Sequence, residues 1–98
     1  MKHMYVTHCT ATDALNTASS EDVNNFFKKM KESAKENGFD LIFWGNPWGV
    51  LESLSFVVVS EKSLDKYIAW RGVWGQKVAK EKLPSYISAG NTTIITSL

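Results

Sequence analysis

His8 and Glu52 are the residues of this sequence best suited to acid–base chemistry. An imidazole titrates near neutral pH, and a carboxylate beside it orients the ring and favours its protonated form. Glu52 is also the only charged residue between Leu41 and Ser60, so it interrupts an otherwise uncharged stretch. We interpret the two as a candidate catalytic acid/base pair. A structural ion pair, or two side chains on opposite faces that never meet, are the alternatives.

Four tryptophans fall within a short part of the chain and could wall a small-molecule pocket, namely Trp44, Trp48, Trp70 and Trp74. Aromatic walls around a few polar groups are typical of ligand sites. Trp70 and Trp74 lie one helical turn apart, and a place in the core or at a dimer contact is the simpler interpretation for them. Trp48 falls in a predicted turn, where contact with a ligand or a partner is a reasonable expectation.

Arg71 is a further candidate ligand-binding residue, because its guanidinium can grip a carboxylate or stack on an indole. An ordinary surface arginine is the simpler interpretation. Cys9 adjoins His8, but successive strand residues point to opposite faces, so we expect a buried thiol rather than a nucleophile. The sequence contains no Gly-rich phosphate loop and no spacing typical of metal ligands. It therefore predicts no metal and no cofactor.

Length and charge narrow the class of protein. Ninety-eight residues fit one domain, residues 1–98, and 44% hydrophobic with 21% charged residues is typical of a globular chain. The net charge of +1 gives no electrostatic footprint for nucleic acid or an anionic membrane. A single cysteine suits a reducing cytoplasm, and no apolar run is long enough for a membrane helix. We expect a cytoplasmic protein.

The spacing of apolar residues predicts six elements: strands over residues 4–10, 41–45, 50–60 and 92–97, and helices over residues 20–37 and 63–82. Gly38 is placed to end the first helix. Residues 46–49 read Asn-Pro-Trp-Gly, a turn signature that predicts a hairpin. Residues 11–18 form either a mobile lid or a plain loop. Gly72 and Gly75 either allow close approach of a ligand or break the second helix.

This order of strand, helix, strand, strand, helix and strand predicts an α+β ferredoxin-like βαββαβ fold. Its four-stranded antiparallel sheet carries two helices on one face. The other face would expose Val57 and Val59, with Tyr5 and Ile95 as expected neighbours. We therefore expect a homodimer formed through the sheet.

The element order resembles the dimeric α/β barrel superfamily, whose protomers pair their sheets into a barrel. The resemblance implies a range of activities: cofactor-independent monooxygenases, heme-degrading enzymes, isomerases and domains without known activity. Heme-degrading members use an Asn on the first strand and a His on the second helix. This chain has His8 on the first strand and no His on the second helix, so the resemblance implies no heme ligand here.

The first and third strands are antiparallel neighbours in this topology, so the end of one meets the start of the other. If Met4, Val6 and His8 face the helices together with Glu52, the imidazole and the carboxylate lie on the same face and within hydrogen-bonding reach. The leading functional hypothesis is a monooxygenase- or isomerase-like enzyme that holds a small aromatic or apolar molecule among the tryptophans, with His8 moving the proton. The alternative is a non-catalytic module for ligand binding or dimerisation.

Overall fold

The computed structural model describes all 98 residues, which form four strands and three helices. In chain order these are β1 (His3–Ala11), α1 (Asp13–Thr17), α2 (Ser20–Glu36), β2 (Asp40–Gly45), β3 (Leu54–Ser60), α3 (Leu64–Lys80) and β4 (Ile87–Thr96). The strands make one antiparallel sheet in the order β2-β3-β1-β4. The predicted α+β class and strand arrangement are confirmed. None of the three helices combines the length and apolar character that a membrane span requires.

Several boundaries differ from those that the sequence predicts. β3 starts at Leu54, so the hairpin connection spans residues 46–53, and residues 11–18 include the short helix α1. α3 runs unbroken through Gly72 and Gly75. β4 starts earlier than predicted and contains Gly90, because pairing with β1 outweighs the local turn signal. A side chain at Gly90 would place its Cβ 3.0 Å from the His8 carbonyl oxygen, so glycine lets the two strands approach.

The core lies between one face of the sheet and the helices α2 and α3. Its largest fully buried side chains are those of Tyr5, Phe27, Met30, Leu41, Phe56, Val58 and Trp70. On β1 the buried residues alternate, and Tyr5, Thr7 and Cys9 face the helices. The phenol ring of Tyr5 stacks in parallel on Tyr67 of α3, with ring centroids 4.1 Å apart.

The expected orientation of β1 is therefore wrong. Met4, Val6 and His8 lie on the face away from the helices, whereas Tyr5, which we expected there, lies in the core. Both sets of alternating residues on β1 contain apolar side chains, so the hydrophobic pattern does not select one of them. Stacking of the large Tyr5 ring against α3 selects the observed side.

The second face of the sheet is apolar and uncovered, as the sequence predicts for Val57, Val59 and Ile95. Cross-strand partners share a face, and Val57 pairs with Val6 while Met4 pairs with both Val59 and Ile95. A register shift after Leu41 places Phe43 opposite Val57, and the Phe43 side chain is 69% exposed. We call this surface the open face; its apolar members are Met4, Val6, Phe43, Val57, Val59 and Ile95.

Both long helices end with the same hydrogen-bonding pattern but with different residues at its left-handed position. After α2, Gly38 has φ +84° and the Phe39 N–H donates to the Ala34 carbonyl. After α3, Lys82 has φ +54° and the Leu83 N–H donates to the Val78 carbonyl. This arrangement is a Schellman motif, whose left-handed residue is usually glycine. Gly38 ends the first long helix as predicted.

We expect opposite effects from exchanging these two residues. Gly38→Ala should lower the free energy of unfolding by about 1–2 kcal/mol, because a Cβ disfavours the left-handed region. Lys82→Gly should raise it by up to about 1 kcal/mol, since glycine relieves the same strain. Urea unfolding followed by circular dichroism measures both. A Lys82→Gly protein less stable than the parent would contradict this account of the α3 end.

Candidate functional site

A cavity of about 390 Å³ lies between α3 and the strands β1 and β4, on the helix-covered face of the sheet. We call it the α3 cavity. Its apolar wall includes Phe26, Trp74, Val78 and Tyr86, and its polar lining includes Thr7, Cys9, Arg71, Ser85, Ser88 and Thr92. Phe26 meets the rings of Trp74 and Tyr86 edge-on, with centroids 5.4 and 5.0 Å away. These rings form a packed aromatic wall.

Arg71 brings a positive charge to this cavity. Its guanidinium carbon lies 5.1 Å from the centroid of the Phe56 ring and 5.9 Å from that of Tyr67. One N–H of the group donates to the Tyr67 hydroxyl at 3.3 Å. The ion pairs of the structure all involve lysines, and no acidic residue lines the cavity. The half-buried Arg71 therefore has no carboxylate partner in the protein.

A chain of hydroxyl groups continues from Arg71 across the cavity floor. The Tyr67 hydroxyl lies 3.4 Å from Thr7 Oγ1, and Thr7 Oγ1 shares a 2.9 Å hydrogen bond with Thr92 Oγ1. The chain thus joins α3 to β1 and then to β4. Because the Tyr67 oxygen accepts from Arg71, its own hydrogen is available to Thr7. These bonds hold the guanidinium and the threonine hydroxyls in fixed positions.

Two further polar groups of the cavity are held in their neutral forms. Burial raises the pKa of the Cys9 thiol; the charge of Arg71 opposes this rise and that of Glu52 adds to it. Burial also raises the pKa of Tyr86, as does the charge of Asp22. Near neutral pH the thiol therefore stays protonated, and the phenol keeps its hydrogen. Cys9 is a wall of the cavity, in line with the buried thiol that we expected.

His8 and Glu52 do not come together as a pair. The third strand does start where the first ends, since Leu54 pairs with Cys9. However, His8 lies on the open face, where its Nδ1 shares a hydrogen bond with Ser55 Oγ. Glu52 precedes β3, and its charge acts on Cys9, which faces the helices. No hydrogen bond or ion pair joins the two side chains, because the true orientation of β1 turns the imidazole away.

The four tryptophans do not line a single pocket. Trp74 belongs to the α3 cavity, whereas Trp70 is buried in the core and donates from Nε1 to Ser33 Oγ at 3.2 Å. Trp48 is 96% exposed in the connection between β2 and β3. Trp44 packs against Phe27 and lines a different cavity. The common-pocket expectation is wrong because Trp44 and Trp48 lie on β2 and the connection after it, and of the two tryptophans on α3 only Trp74 lines the α3 cavity.

The second cavity, of about 410 Å³, lies between α1, the start of α2 and the hairpin of β2 and β3. Trp44 lines it, and the indole Nε1 donates to Asn24 Oδ1 at 3.0 Å. Amides and hydroxyls supply the remaining polar lining, from Asn16, Ser20, Asn46 and Ser53. Part of the 11–18 connection forms its wall. The cavity holds no charged side chain, so the α3 cavity is the better candidate site.

Only part of the α3 cavity is predictable from the sequence. Arg71, Trp74 and Gly75 are recognisable there, and all three line the cavity. Thr7, Thr92 and Tyr86 line it as well but are not among the predicted site residues. Tyr86 carried a weak signal, since it is an aromatic residue just after Pro84 in the connection from α3 to β4. The threonines become neighbours only through the pairing of β1 with β4, which the sequence does not specify residue by residue.

No model of a known protein family matches the sequence, and no curated protein does. Solved structures, by contrast, are similar over almost the whole chain. A dimeric ferredoxin-like protein of unknown function from Thermobifida fusca has a TM-score of 0.55 at 10% identity, with 99% of this chain and 92% of that chain covered. The chain has a ferredoxin-like fold.

Two more solved structures are similar to this chain in fold. An uncharacterized NIPSNAP-like domain protein from Burkholderia xenovorans has a TM-score of 0.57 at 13% identity, over 99% of this chain and 85% of that one. A protein from Agrobacterium tumefaciens has a TM-score of 0.52 at 14% identity, over 100% of this chain and 94% of that one. At such identities the likeness shows the fold alone.

We expect the Cys9 thiol to react slowly in the folded protein. Its burial and raised pKa leave little thiolate near neutral pH, and the thiolate is the reactive form. Ellman's reagent should label the native protein at least about a hundredfold more slowly than the urea-unfolded chain, because the reagent reaches Cys9 only when the surrounding structure opens locally. Equal rates in the two states would contradict the burial of this side chain.

Proposed function

We propose that this chain is a homodimeric small-molecule-binding protein. In this proposal the α3 cavity holds a small, largely apolar or aromatic ligand, while the open face pairs with a second copy. The observation that carries the proposal is the α3 cavity itself. It combines an aromatic wall of Phe26, Trp74 and Tyr86 with a few fixed polar groups.

The dimensions and lining of the cavity support a small molecule as its occupant. A volume of about 390 Å³ lies within the range typical of ligand pockets, roughly 300–1,000 Å³. Apolar walls supply most of the binding free energy in such sites, and a few polar groups orient the ligand. Here the hydroxyls of Thr7 and Thr92 are already held by hydrogen bonds, so little ordering is needed on binding.

The geometry favours binding over catalysis. The monooxygenase- or isomerase-like hypothesis relies on His8 to move a proton beside the ligand, with Glu52 orienting it. His8 instead lies on the open face, on the opposite side of β1 from the cavity. The Cys9 thiol, which does line the cavity, is held protonated. Neither group is placed to act on a bound molecule, so the non-catalytic alternative is the better supported one.

The open face supports the homodimer. It presents a continuous apolar strip across all four strands, from Phe43 on β2 to Ile95 on β4. Surfaces of this kind on a soluble domain usually mark an interaction site. The Thermobifida protein of the same fold is described as dimeric. A partner on the open face leaves the α3 cavity accessible, since the two lie on opposite sides of the sheet. The unpaired thiol of Cys9 suits a cytoplasmic setting.

A charge at the centre of the open face should break the dimer. Val57 lies between Val6 and Phe43, and a lysine there would have to be desolvated without a partner. We expect Val57→Lys to weaken dimerisation by at least about a hundredfold, as loss of a central contact does elsewhere. Ile68→Lys, at a 61% exposed site on α3, is the matched control and should remain dimeric.

Sedimentation velocity at micromolar concentration distinguishes the two variants. Sedimentation of the parent protein as a monomer would contradict the proposed homodimer. A Val57→Lys protein that stays dimeric would place the interface on another surface.

A larger side chain in the α3 cavity should weaken ligand binding without harming the fold. Gly72 and Gly75 are both exposed on α3, and a Cβ at either one meets no atom within 4 Å. Only Gly75 lines the cavity. With the neutral probe 2-naphthamide, we expect Gly75→Leu to weaken binding by at least about tenfold through steric exclusion. Gly72→Leu is the matched control.

A fluorescence titration of the probe reports both affinities. Leucine is a better helix former than glycine, so both variants should be at least as stable as the parent. Equal losses in the two variants, or no binding to the parent, would overturn the assignment of the site.

A further inference from the structure

We propose that the ligand of the α3 cavity is an aromatic carboxylic acid whose carboxylate binds to Arg71. This inference rests on the proposed function and names the chemical class of the ligand. Three observations support it: the unpaired charge of Arg71, the contacts that hold its guanidinium in place, and the spacing of the cavity-lining residues along α3.

The charge of Arg71 is unmatched within the protein. Partial burial of a cation costs free energy unless an anion or several hydrogen bonds compensate. Each of the three ion pairs in the structure uses a lysine, and the α3 cavity has no acidic residue in its lining. Of the five N–H donors of a guanidinium, one is used, in the bond to the Tyr67 hydroxyl. Donors therefore remain for an anion that comes from outside.

The guanidinium is also held in place before any ligand arrives. The rings of Phe56 and Tyr67 pack beneath it, and Tyr67 fixes one of its nitrogens. A planar guanidinium matches a planar carboxylate through two parallel hydrogen bonds, which a lysine ammonium cannot reproduce. Because the side chain is already ordered, it loses little rotational freedom when the anion binds.

The spacing along α3 places the rest of the ligand. Residues three and four apart share one face of a helix. Arg71, Trp74, Gly75 and Val78 follow this spacing, and all four line the cavity. The helix thus presents a cationic group, an aromatic ring, an open space and an apolar side chain in sequence. An aromatic ring with one carboxylate fits this order, with its ring against Trp74 and Phe26.

Glu52 is the acidic residue whose charge reaches the region of Arg71. Its charge and that of Arg71 both act on Cys9, so the two lie in the same region, yet they form no ion pair. If a ligand carboxylate occupies the site, Glu52 repels it weakly. Glu52→Gln should therefore strengthen the binding of an anionic probe and leave a neutral probe unaffected.

Two probes of the same shape test the proposal, 2-naphthoate and its neutral amide, 2-naphthamide. The parent protein should bind the carboxylate at least about tenfold more tightly than the amide. Arg71→Met keeps an unbranched, flexible side chain but removes the guanidinium and its charge, and it should abolish this preference while amide binding persists. Arg71→Lys should keep part of the preference. Persistent amide binding shows at the same time that each variant is folded.

The results with the two probes distinguish failure of the carboxylate assignment from failure of the proposed binding function. Equal affinity of the parent for the two probes would overturn the carboxylate assignment and leave the proposed function standing. A carboxylate preference that survives in Arg71→Met would overturn the role of Arg71. Failure of both probes to bind the parent would overturn the proposed function, and the inference with it. Weaker binding of 2-naphthoate to the Glu52→Gln variant than to the parent would also contradict the proposal.

Discussion

The orientation of β1 is the constraint on which the rest of this structure depends. β1 is central in the sheet, paired with β3 on one side and β4 on the other, and alternate residues point to opposite faces. Stacking of Tyr5 on Tyr67 anchors one set under the helices. Thr7 and Cys9 then have to line the α3 cavity, and His8 has to lie on the open face. A shift by one residue would exchange all of these positions.

The helix α3 complements that strand. Its apolar residues Tyr67, Trp70 and Trp74 are buried, and the two ends of this series meet different surroundings. Tyr67 and Trp70 pack in the core with Phe39, whereas Trp74 packs with Phe26 at the cavity. The α3 cavity lies beside the C-terminal half of the helix, where Gly75 contributes no side chain to fill it.

The sequence allows the element order, the stop at Gly38 and the apolar second face to be predicted, because each follows from local spacing or from one residue's backbone preference. It does not fix the side to which β1 turns, since Met4 and Val6 are as apolar as Tyr5 and Cys9. That ambiguity is why the proposed pairing of His8 with Glu52 fails. Arg71 and Trp74 are recognisable from helical spacing. Thr92 is not, because its position relative to Thr7 depends on strand register.

One strand separates the two surfaces of this protein, and this has a thermodynamic consequence. His8 and Cys9 are successive residues, yet the first belongs to the open face and the second to the cavity wall. A displacement of this backbone segment therefore moves residues of both the open face and the cavity wall. Linkage requires any resulting effect to be reciprocal: the factor by which an occupant of the cavity alters self-association equals the factor by which self-association alters the affinity for that occupant.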